Sequence, residues 1–157
     1  MLCVDVMVNQ QLCVTVTAPT MAELRTRRDA VVGADLVELR LDSVSDPDVA
    51  GALAGRSVPV VVTCRPTWEG GSFTGSEEER KRLLGQALDA GAEFVDVEWR
   101  AGFDDLIART GGERVVLSSH DFDGIPHDLE ARVTAMQATG AEVVKVAVKT
   151  SDPPELL

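Results

Sequence analysis

The sequence contains no apolar run long enough to form a membrane-spanning helix. Such a helix needs about 18 consecutive apolar residues, and no stretch of that kind occurs in the 157-residue chain. The first residues, MLCVDVMVNQQLC, also lack the basic segment and the continuous apolar segment of a secretory signal. We therefore expect a cytoplasmic protein that acts on no membrane.

Clustered positive charge is missing as well. The chain carries 26 acidic and 15 basic residues, for a formal net charge of −11, and its arginines and lysines form no patch. Binding along a nucleic-acid backbone needs such a patch to neutralise phosphates. The composition therefore argues against a nucleic-acid partner, and we expect the partners to be small solutes.

Cysteine is scarce and follows no metal-binding pattern. Cys3, Cys13 and Cys64 are odd in number and lack the spacing of a zinc site. We expect them to be small buried hydrophobic residues. Gly/Ser linkers, internal repeats and low-complexity segments are absent too, which predicts a single domain over residues 1–157.

Six short runs rich in β-branched residues predict strands. They cover residues 12–18, 34–42, 58–65, 93–99, 114–120 and 142–149. The segments between them carry helix signals, which are two capping boxes (TMAE at 20–23 and SEEE at 76–79) and the helix-ending glycines Gly33, Gly91 and Gly140. Alternation of strand and helix predicts a parallel sheet built from βαβ units.

Alternate residues of these strands form one polar face and one apolar face. The polar face carries Thr15, Thr17, Glu38, Arg40, Asp42, Thr63, Arg65, Asp96, Glu98, Ser118, His120, Lys145 and Lys149. An antiparallel sheet with one wet face is the alternative, but helix-length connections argue against it. The pattern favours a β/α barrel with polar groups inside and catalytic groups at the carboxyl ends of its strands.

The strand count falls short of a complete barrel, which has eight strands and typically about 250 residues. The chain supplies six strands and ends at SDPPELL, where Asp152 and Glu155 resemble the opening of another helix. We therefore expect an α/β fold of the (β/α)8 TIM-barrel type with about six of its eight βα units present.

Lys145 lies inside the apolar run AEVVKVAVK. Desolvation of a lysine disfavours its charged form and exposes a nucleophilic amine, as imine-forming enzymes require. The alternative is a structural ion pair between Lys145 and Asp96 or Glu98 on a neighbouring strand. Lys149, at the end of the same run, is the second candidate for the amine.

His120 closes the run VVLSSH and faces the same way as Ser118. Imidazole titrates near neutrality, so a histidine at the mouth of a pocket can both accept and donate a proton. The alternative is a histidine whose ring is satisfied by a loop carbonyl. The other histidine, His127 in GIPHDLE, is expected at the surface.

Two charged stretches complete the candidate site. TCRPTWEGG places Arg65 at a strand end and Glu69 four residues later, before two glycines that let a loop fold over the mouth. Arg65 offers a planar fork to oxygens, and Glu69 can orient a histidine. VELRLD places three charges on the inner face, where they need partners or a substrate. An ordinary surface ion pair and a structural network are the respective alternatives.

Together these stretches resemble the type I 3-dehydroquinate dehydratases, the Schiff-base enzymes of the shikimate pathway. That family carries E-x-R-x-D in its second strand, T-x-R-x-x-x-E-G-G after the third, S-x-H-D-F in the fifth and K-x-A-V in the sixth. Here the matching segments are ELRLD, TCRPTWEGG, SSHDF and KVAV, in the same order. The resemblance extends from about Cys13 to the end of the chain.

The resemblance implies a barrel that dehydrates 3-dehydroquinate to 3-dehydroshikimate without metal or organic cofactor. It implies that Lys145 forms the imine, that His120 moves the protons and that Glu69 orients His120. Glu38, Arg40 and Arg65 would bind the substrate's polar groups, and we expect a homodimer. The family's seventh and eighth strands, with their arginine, serine and glutamine contacts, have no counterpart here, so we expect the 157-residue chain alone to be inactive.

Other function classes remain open from the sequence. A class I aldolase uses the same barrel and imine but breaks a carbon–carbon bond. A truncated, non-catalytic module docked to another chain is a second alternative. Metal-dependent hydrolysis is weaker, because the inner carboxylates are accompanied by just one inward-facing histidine.

Overall fold

The computed structural model describes residues 10–150. Six strands alternate with five α-helices. The strands are β1 (Cys13–Val16), β2 (Leu36–Arg40), β3 (Val60–Thr63), β4 (Phe94–Glu98), β5 (Val115–Asp121) and β6 (Val143–Val148). The helices are α1 (Met21–Asp29), α2 (Val49–Leu53), α3 (Glu77–Asp89), α4 (Asp104–Thr110) and α5 (Leu129–Ala138), with 3₁₀ turns at Leu41–Ser43, Thr67–Glu69 and Trp99–Ala101.

The six strands form one parallel sheet in the order β1-β2-β3-β4-β5-β6. All six predicted strands are confirmed, although most are a few residues shorter than expected. Sequential order with helical crossovers is the connectivity of a β/α barrel. The chain is thus an α/β protein with a partial barrel of the (β/α)8 type, as the sequence predicts.

The sheet is strongly curled. Lys145 Nζ on β6 lies 3.9 Å from Glu38 Oε1 on β2. In a flat sheet, strands four places apart would be separated by about 19 Å. The inner faces of β2 and β6 therefore converge, and the polar side chains of the sheet meet in one place.

The convex face of the sheet holds the main core, as the alternation predicts. Its fully buried strand residues are Val37, Leu39, Val60, Val62, Val95, Val97 and Val115. Leu24, Leu84, Leu88 and Met136 from the helices pack with them in the same cluster. Burial of each such side chain contributes roughly 1.5–3 kcal/mol, which fixes the polar face toward the inside.

The predicted helix starts are confirmed. The Thr20 hydroxyl accepts from the Glu23 amide at 3.3 Å before α1, and the Ser76 hydroxyl accepts from the Glu79 amide at 3.1 Å before α3. Each bond satisfies one amide that the first helical turn leaves unpaired.

Two of the three predicted helix-ending glycines lie where expected. Gly91 and Gly140 follow the C-caps of α3 and α5 with φ values of 83° and 80°. Gly33 also has a positive φ, but α1 already ends at Asp29 with Ala30 as its C-cap. The prediction for Gly33 is therefore wrong in position, because this glycine shapes the loop beyond the helix end.

Of the two cysteines among the described residues, one is buried as predicted and the other is exposed. Cys64 is fully buried, and burial raises the pKa of its thiol to about 12. Cys13 is exposed, contrary to expectation. It begins β1, an outer strand of the described sheet, so its side chain has a neighbouring strand on one side alone. Cys3, Asp152 and Glu155 lie outside the described residues.

His127 is exposed in the loop before α5, as predicted. Across residues 10–150, none of the helices combines the length and the apolar character that crossing a membrane would require.

Candidate active site

The inner face of the sheet is apolar near the amino ends of the strands and charged toward their carboxyl ends. Leu36, Val61 and Val116 pack with Phe94 to form an apolar floor. A cavity of about 410 Å³ lies against this floor, and Glu38, Asp96 and Lys145 line it on the polar side. This cavity lies toward the amino ends of the strands, and Glu38 and Lys145 are the predicted site residues that line it. Arg65 and His120 lie toward the carboxyl ends of β3 and β5, where β/α barrels place their catalytic groups.

Lys145 pairs with Asp96 across the inner face. Its Nζ lies 3.3 Å from Asp96 Oδ2, and its side chain is 39% exposed. The ion-pair alternative is thus present in the structure, and Lys145 is partly hydrated rather than desolvated. Burial would raise the pKa of Asp96, but the charges of Arg65 and Lys145 hold it below its usual range.

Glu38 on β2 contacts side chains from three other strands, β1, β3 and β6. Its carboxylate accepts from the Thr15 hydroxyl on β1 and the Thr63 hydroxyl on β3, both at 2.7 Å. It also lies 3.9 Å from Lys145 Nζ on β6. Glu38 is therefore fixed in orientation and contributes negative charge beside the amine.

Arg65 is enclosed by carboxylates. Its guanidinium contacts Glu98 at 2.8 Å and Asp96 at 2.9 Å, donates to the Ser118 hydroxyl at 2.7 Å and lies 3.5 Å from Glu69. The residue is 3% exposed. Burial alone would lower the pKa of Arg65, but the surrounding carboxylates raise it, so the cation persists. Its position suits organising the acidic groups more than contacting a substrate directly.

His120 and Glu69 form a close pair, although 51 residues separate them in the chain. His120 Nδ1 lies 3.1 Å from Glu69 Oε2, and the carboxylate is buried. The Phe122 ring stacks against the imidazole at 6.3 Å between centroids. An acceptor on Nδ1 leaves Nε2 as the free base of a neutral ring.

The two glycines after Glu69 are required by close contacts. A Cβ on Gly71 would lie 2.0 Å from the Arg65 carbonyl oxygen, and one on Gly70 would lie 2.4 Å from the Phe122 ring. Gly70 also has a φ of 75°. The loop thus folds tightly back on the end of β3, which brings Glu69 under His120.

Arg40 is held by Asp42 rather than by the central cluster. Its guanidinium donates to both Asp42 oxygens at 2.8 and 2.7 Å, and the Ser72 amide donates to the same carboxylate at 3.0 Å. The hydrogen bonds to Asp42 raise the pKa of Arg40. The Arg40 side chain remains 22% exposed, so it can still meet a polar group at the mouth.

The structure brings most of the predicted residues together. Asp96 joins Lys145 to Arg65, Glu38 lies beside Lys145, and Glu69 links Arg65 to His120. Arg40 lies at the rim with Asp42, and Lys149 is exposed.

Sequence reasoning missed one buried residue of this cluster and gave two others a minor part. Arg80 on α3 is completely buried against Glu98, although it comes from a helix outside the sheet. For Asp96 and Glu98, the role predicted from the sequence is that of possible ion-pair partners of Lys145. Their alternation on β4 indicates that both side chains face the inside of the sheet, whereas nothing in the run EEERKR marks Arg80 as buried.

Chemically, the arrangement joins a lysine amine beside two carboxylates to a carboxylate-oriented imidazole. Lys145 lies opposite Ser118 in the β5–β6 register, and His120 follows Ser118 by two residues on the same face. Standard strand geometry then separates the Cα atoms of Lys145 and His120 by about 8 Å. A small ketone can contact both side chains at once, as imine formation with proton transfer requires.

The chain is similar in sequence to known proteins. The 3-dehydroquinate dehydratase of Desulfotalea psychrophila is 34% identical over 146 residues, covering 88% of this chain and 64% of its own length. The bifunctional 3-dehydroquinate dehydratase/shikimate dehydrogenase of Arabidopsis thaliana is 34% identical over 164 residues, covering 94% and 27%. The chain thus spans less than two thirds of the length of these relatives.

The chain is also similar to a solved structure and matches a family profile. The 3-dehydroquinate dehydratase of Enterococcus faecalis superposes with a TM-score of 0.79 at 30% identity, over 94% of this chain and 70% of that one. The sequence profile of the type I 3-dehydroquinase family matches residues 12–157. All six strands of the described sheet lie within that match, and the chain belongs to the type I 3-dehydroquinase family.

Proposed function

We propose that this chain carries the imine-forming and proton-transferring groups of a 3-dehydroquinate dehydratase, a lyase that converts 3-dehydroquinate to 3-dehydroshikimate. The observation that carries the proposal is the placement of two pairs, Lys145–Asp96 and His120–Glu69, on adjacent strands of one inner face. Family membership supplies the reaction and its substrate.

The first step takes place at Lys145. Its amine attacks the C3 carbonyl carbon of the substrate, the new C–N bond forms, and the carbonyl oxygen leaves as water. The Lys145 ammonium must first lose a proton, and the carboxylates of Asp96 and Glu38 beside it can receive or relay that proton. The resulting iminium withdraws electrons from C2, as a metal or organic cofactor would otherwise have to do.

The second step uses His120. With Nδ1 held toward Glu69, the neutral ring accepts the C2 proton at Nε2 and becomes an imidazolium. That imidazolium then protonates the departing C1 hydroxyl, which leaves as water. Hydrolysis of the imine releases 3-dehydroshikimate and restores the Lys145 amine.

Substrate binding is assigned to Glu38, Arg40 and Arg65. Glu38 faces the cavity and Arg40 lies at the rim, so both can meet hydroxyl or carboxylate oxygens. Arg65 is more enclosed and acts chiefly by holding Glu69, Glu98 and Asp96 in place. The cytoplasmic location, the homodimer and the absence of a nucleic-acid partner stay predictions from the sequence.

Borohydride trapping tests the proposal. The chain has three lysines, Lys81, Lys145 and Lys149, so peptide mapping assigns an adduct without ambiguity. Reduction in the presence of 3-dehydroquinate should give one stable adduct, on Lys145. Lys145→Met should abolish it, and the matched variant Lys149→Met should retain it.

Two results would contradict the assignment. One is an adduct on Lys149, and the other is an unmodified Lys145 in a form of the protein that turns over the substrate. In such an active form, the enone absorbance of the product separates dehydration from the carbon–carbon cleavage of an aldolase, which also traps with borohydride.

A further inference from the structure

Arg80 is a buried cation that the proposed reaction leaves without a role. It extends from α3 on the outside of the sheet and is fully buried. Its guanidinium is paired with Glu77 and Glu98 and lies 4.6 Å from the Phe103 ring and 5.8 Å from the Trp68 ring. A buried charge is costly unless it is paired, so the pairing with Glu77 and Glu98 is what allows Arg80 to be buried here.

Glu98 connects Arg80 to the inside of the barrel. One of its oxygens meets Arg80, and the other accepts from Arg65 Nη1 at 2.8 Å. Arg65 is therefore pulled toward Glu98 by a carboxylate that a second arginine holds in place. Without Arg80, three buried carboxylates (Glu69, Asp96 and Glu98) would compete for Arg65.

Glu69 depends on Arg65. Among the described residues, its Oε1 is buried without a hydrogen-bond partner, while Oε2 lies 3.1 Å from His120 Nδ1 and 3.5 Å from Arg65. Arg80 also approaches this segment from the other side, because Trp68 directly precedes Glu69 in the 3₁₀ turn. Two sets of contacts thus lead from Arg80 to the same carboxylate.

We propose that Arg80 is a positioning residue which, through Glu98 and Arg65, holds Glu69 against His120 and fixes the proton of the neutral imidazole on Nδ1. This inference rests on the proposed function in that Nε2 of His120 is taken as the catalytic base. Loss of the Arg80 charge should turn Arg65 away from its present geometry. His120 should then lose its oriented acceptor and populate the Nε2–H form, in which the nitrogen facing the substrate no longer accepts a proton.

The test is the tautomer of His120 in the 157-residue chain, measured by nitrogen-15 NMR of the imidazoles. The chain has two histidines, and exposed His127 serves as an internal reference. Spectra are recorded roughly two pH units above the usual histidine value, where free rings are neutral. We expect Arg80→Gln to shift His120 from mainly Nδ1–H to mainly Nε2–H, and Arg80→Lys, which keeps the charge, to retain Nδ1–H.

Three comparisons decide the outcome. Arg82→Gln, at an exposed position of the same helix, should change neither histidine. Unchanged His120 in a folded Arg80→Gln protein overturns the proposal. A loss of Nδ1–H in both Arg80 variants overturns it too, because the residue would then act through packing rather than charge.

Glu69→Ala separates this proposal from the proposed function. It removes the acceptor from Nδ1, so it should release His120 from the Nδ1–H form whatever Arg80 does. If it fails to do so, the assigned role of Glu69 is wrong, and the positioning role of Arg80 falls with it. If Glu69→Ala has the expected effect and Arg80→Gln has none, the role of Arg80 alone is wrong.

Discussion

At the scale of single residues, the pairing of Lys145 with Asp96 sets the order of events at the site. Lys145 Nζ lies 3.3 Å from the buried carboxylate of Asp96, and imine formation requires an amine with a free lone pair. In the proposed reaction, a proton must therefore leave Lys145 before its amine attacks the substrate. Asp96 and Glu38 are close enough to accept or relay that proton, so we expect both carboxylates to take part in the proposed chemistry.

His120 should matter for proton transfer more than for covalent binding. We expect His120→Ala, in a form of the enzyme that turns over substrate, to accumulate the reducible adduct while turnover falls by at least the roughly 100-fold typical of a lost general base. Stopped assays for product and mass spectrometry of the reduced protein measure the two effects. Near-normal turnover would refute the assignment of His120 as the base.

Glu98 predicts an unusual pH dependence of stability. Burial raises its pKa from 4.5 to about 7, against the opposing charges of Arg65 and Arg80. The folded state therefore binds this proton more tightly than the unfolded state between those values. The stabilising contribution of Glu98 is complete below pH 4.5 and is lost as the pH rises through 7.

A comparison of Glu98→Gln with the wild type isolates this contribution. Glutamine does not titrate, so the free energy of unfolding of the variant minus that of the wild type should increase, meaning a relative gain in stability, between about pH 5 and about pH 8. Urea unfolding at the two pH values measures it. The control is Glu78→Gln, an exposed position on α3, which should show no such trend. A pH-independent difference for Glu98→Gln would contradict the expectation.

At the scale of secondary structure elements, α3 is the helix that both covers the sheet and delivers Arg80. It contains Gly85 in its interior, where a Cβ would meet just Arg109 and Leu106 at 3.7 and 3.8 Å. These are ordinary van der Waals distances, and glycine lowers helix stability by roughly 0.5–1 kcal/mol relative to alanine. Gly85→Ala should therefore stabilise the chain by about that amount in urea unfolding.

Gly55→Ala, in the loop that follows α2, is the control for Gly85→Ala. Gly55 has a φ of 66°, and a Cβ added there would have no atom within 4 Å, so backbone strain alone acts at this position. Its substitution should destabilise the chain by about 1–2 kcal/mol. If both variants move stability in the same direction, the helix-propensity argument for Gly85 is wrong.

At the scale of the whole molecule, the described sheet is an open arc whose outer strands are β1 and β6. Unpaired strand edges invite pairing with other chains. Apolar side chains accompany these edges, since Val143 on β6 is 38% exposed and Leu12, just before β1, is 57% exposed. We expect the 157-residue polypeptide to self-associate, with a light-scattering mass above that of one 16.8 kDa chain.

Substitutions at the edge test the cause of association. Val143→Lys places a charge on β6 and should lower the associated mass, because charged side chains disfavour edge pairing. Val32→Lys adds the same charge at a 92% exposed loop position and should leave the mass unchanged. A monodisperse monomer in the wild type, with turnover typical of a dehydratase, would refute the expectation of both association and inactivity.

The sequence by itself determined the strand and helix order, the starts of α1 and α3, and the separation of polar and apolar faces. These features depend on local chemistry, since side chains alternate every two residues in a strand and caps act within one helical turn. Through its resemblance to the type I family, the order of the motifs also predicts Lys145, His120 and Glu69 as catalytic residues.

Tertiary structure alone decided which of these groups touch. The Lys145–Asp96 and Arg65–Ser118 contacts join residues 49 and 53 positions apart, and the curl of the sheet brings them together. The position of β1 at the outside of the described sheet leaves Cys13 exposed, and packing of α3 against β4 buries Arg80 beside Glu98. Periodicity assigns a side chain to a face, but its partners depend on how far the sheet bends and on what the helices cover.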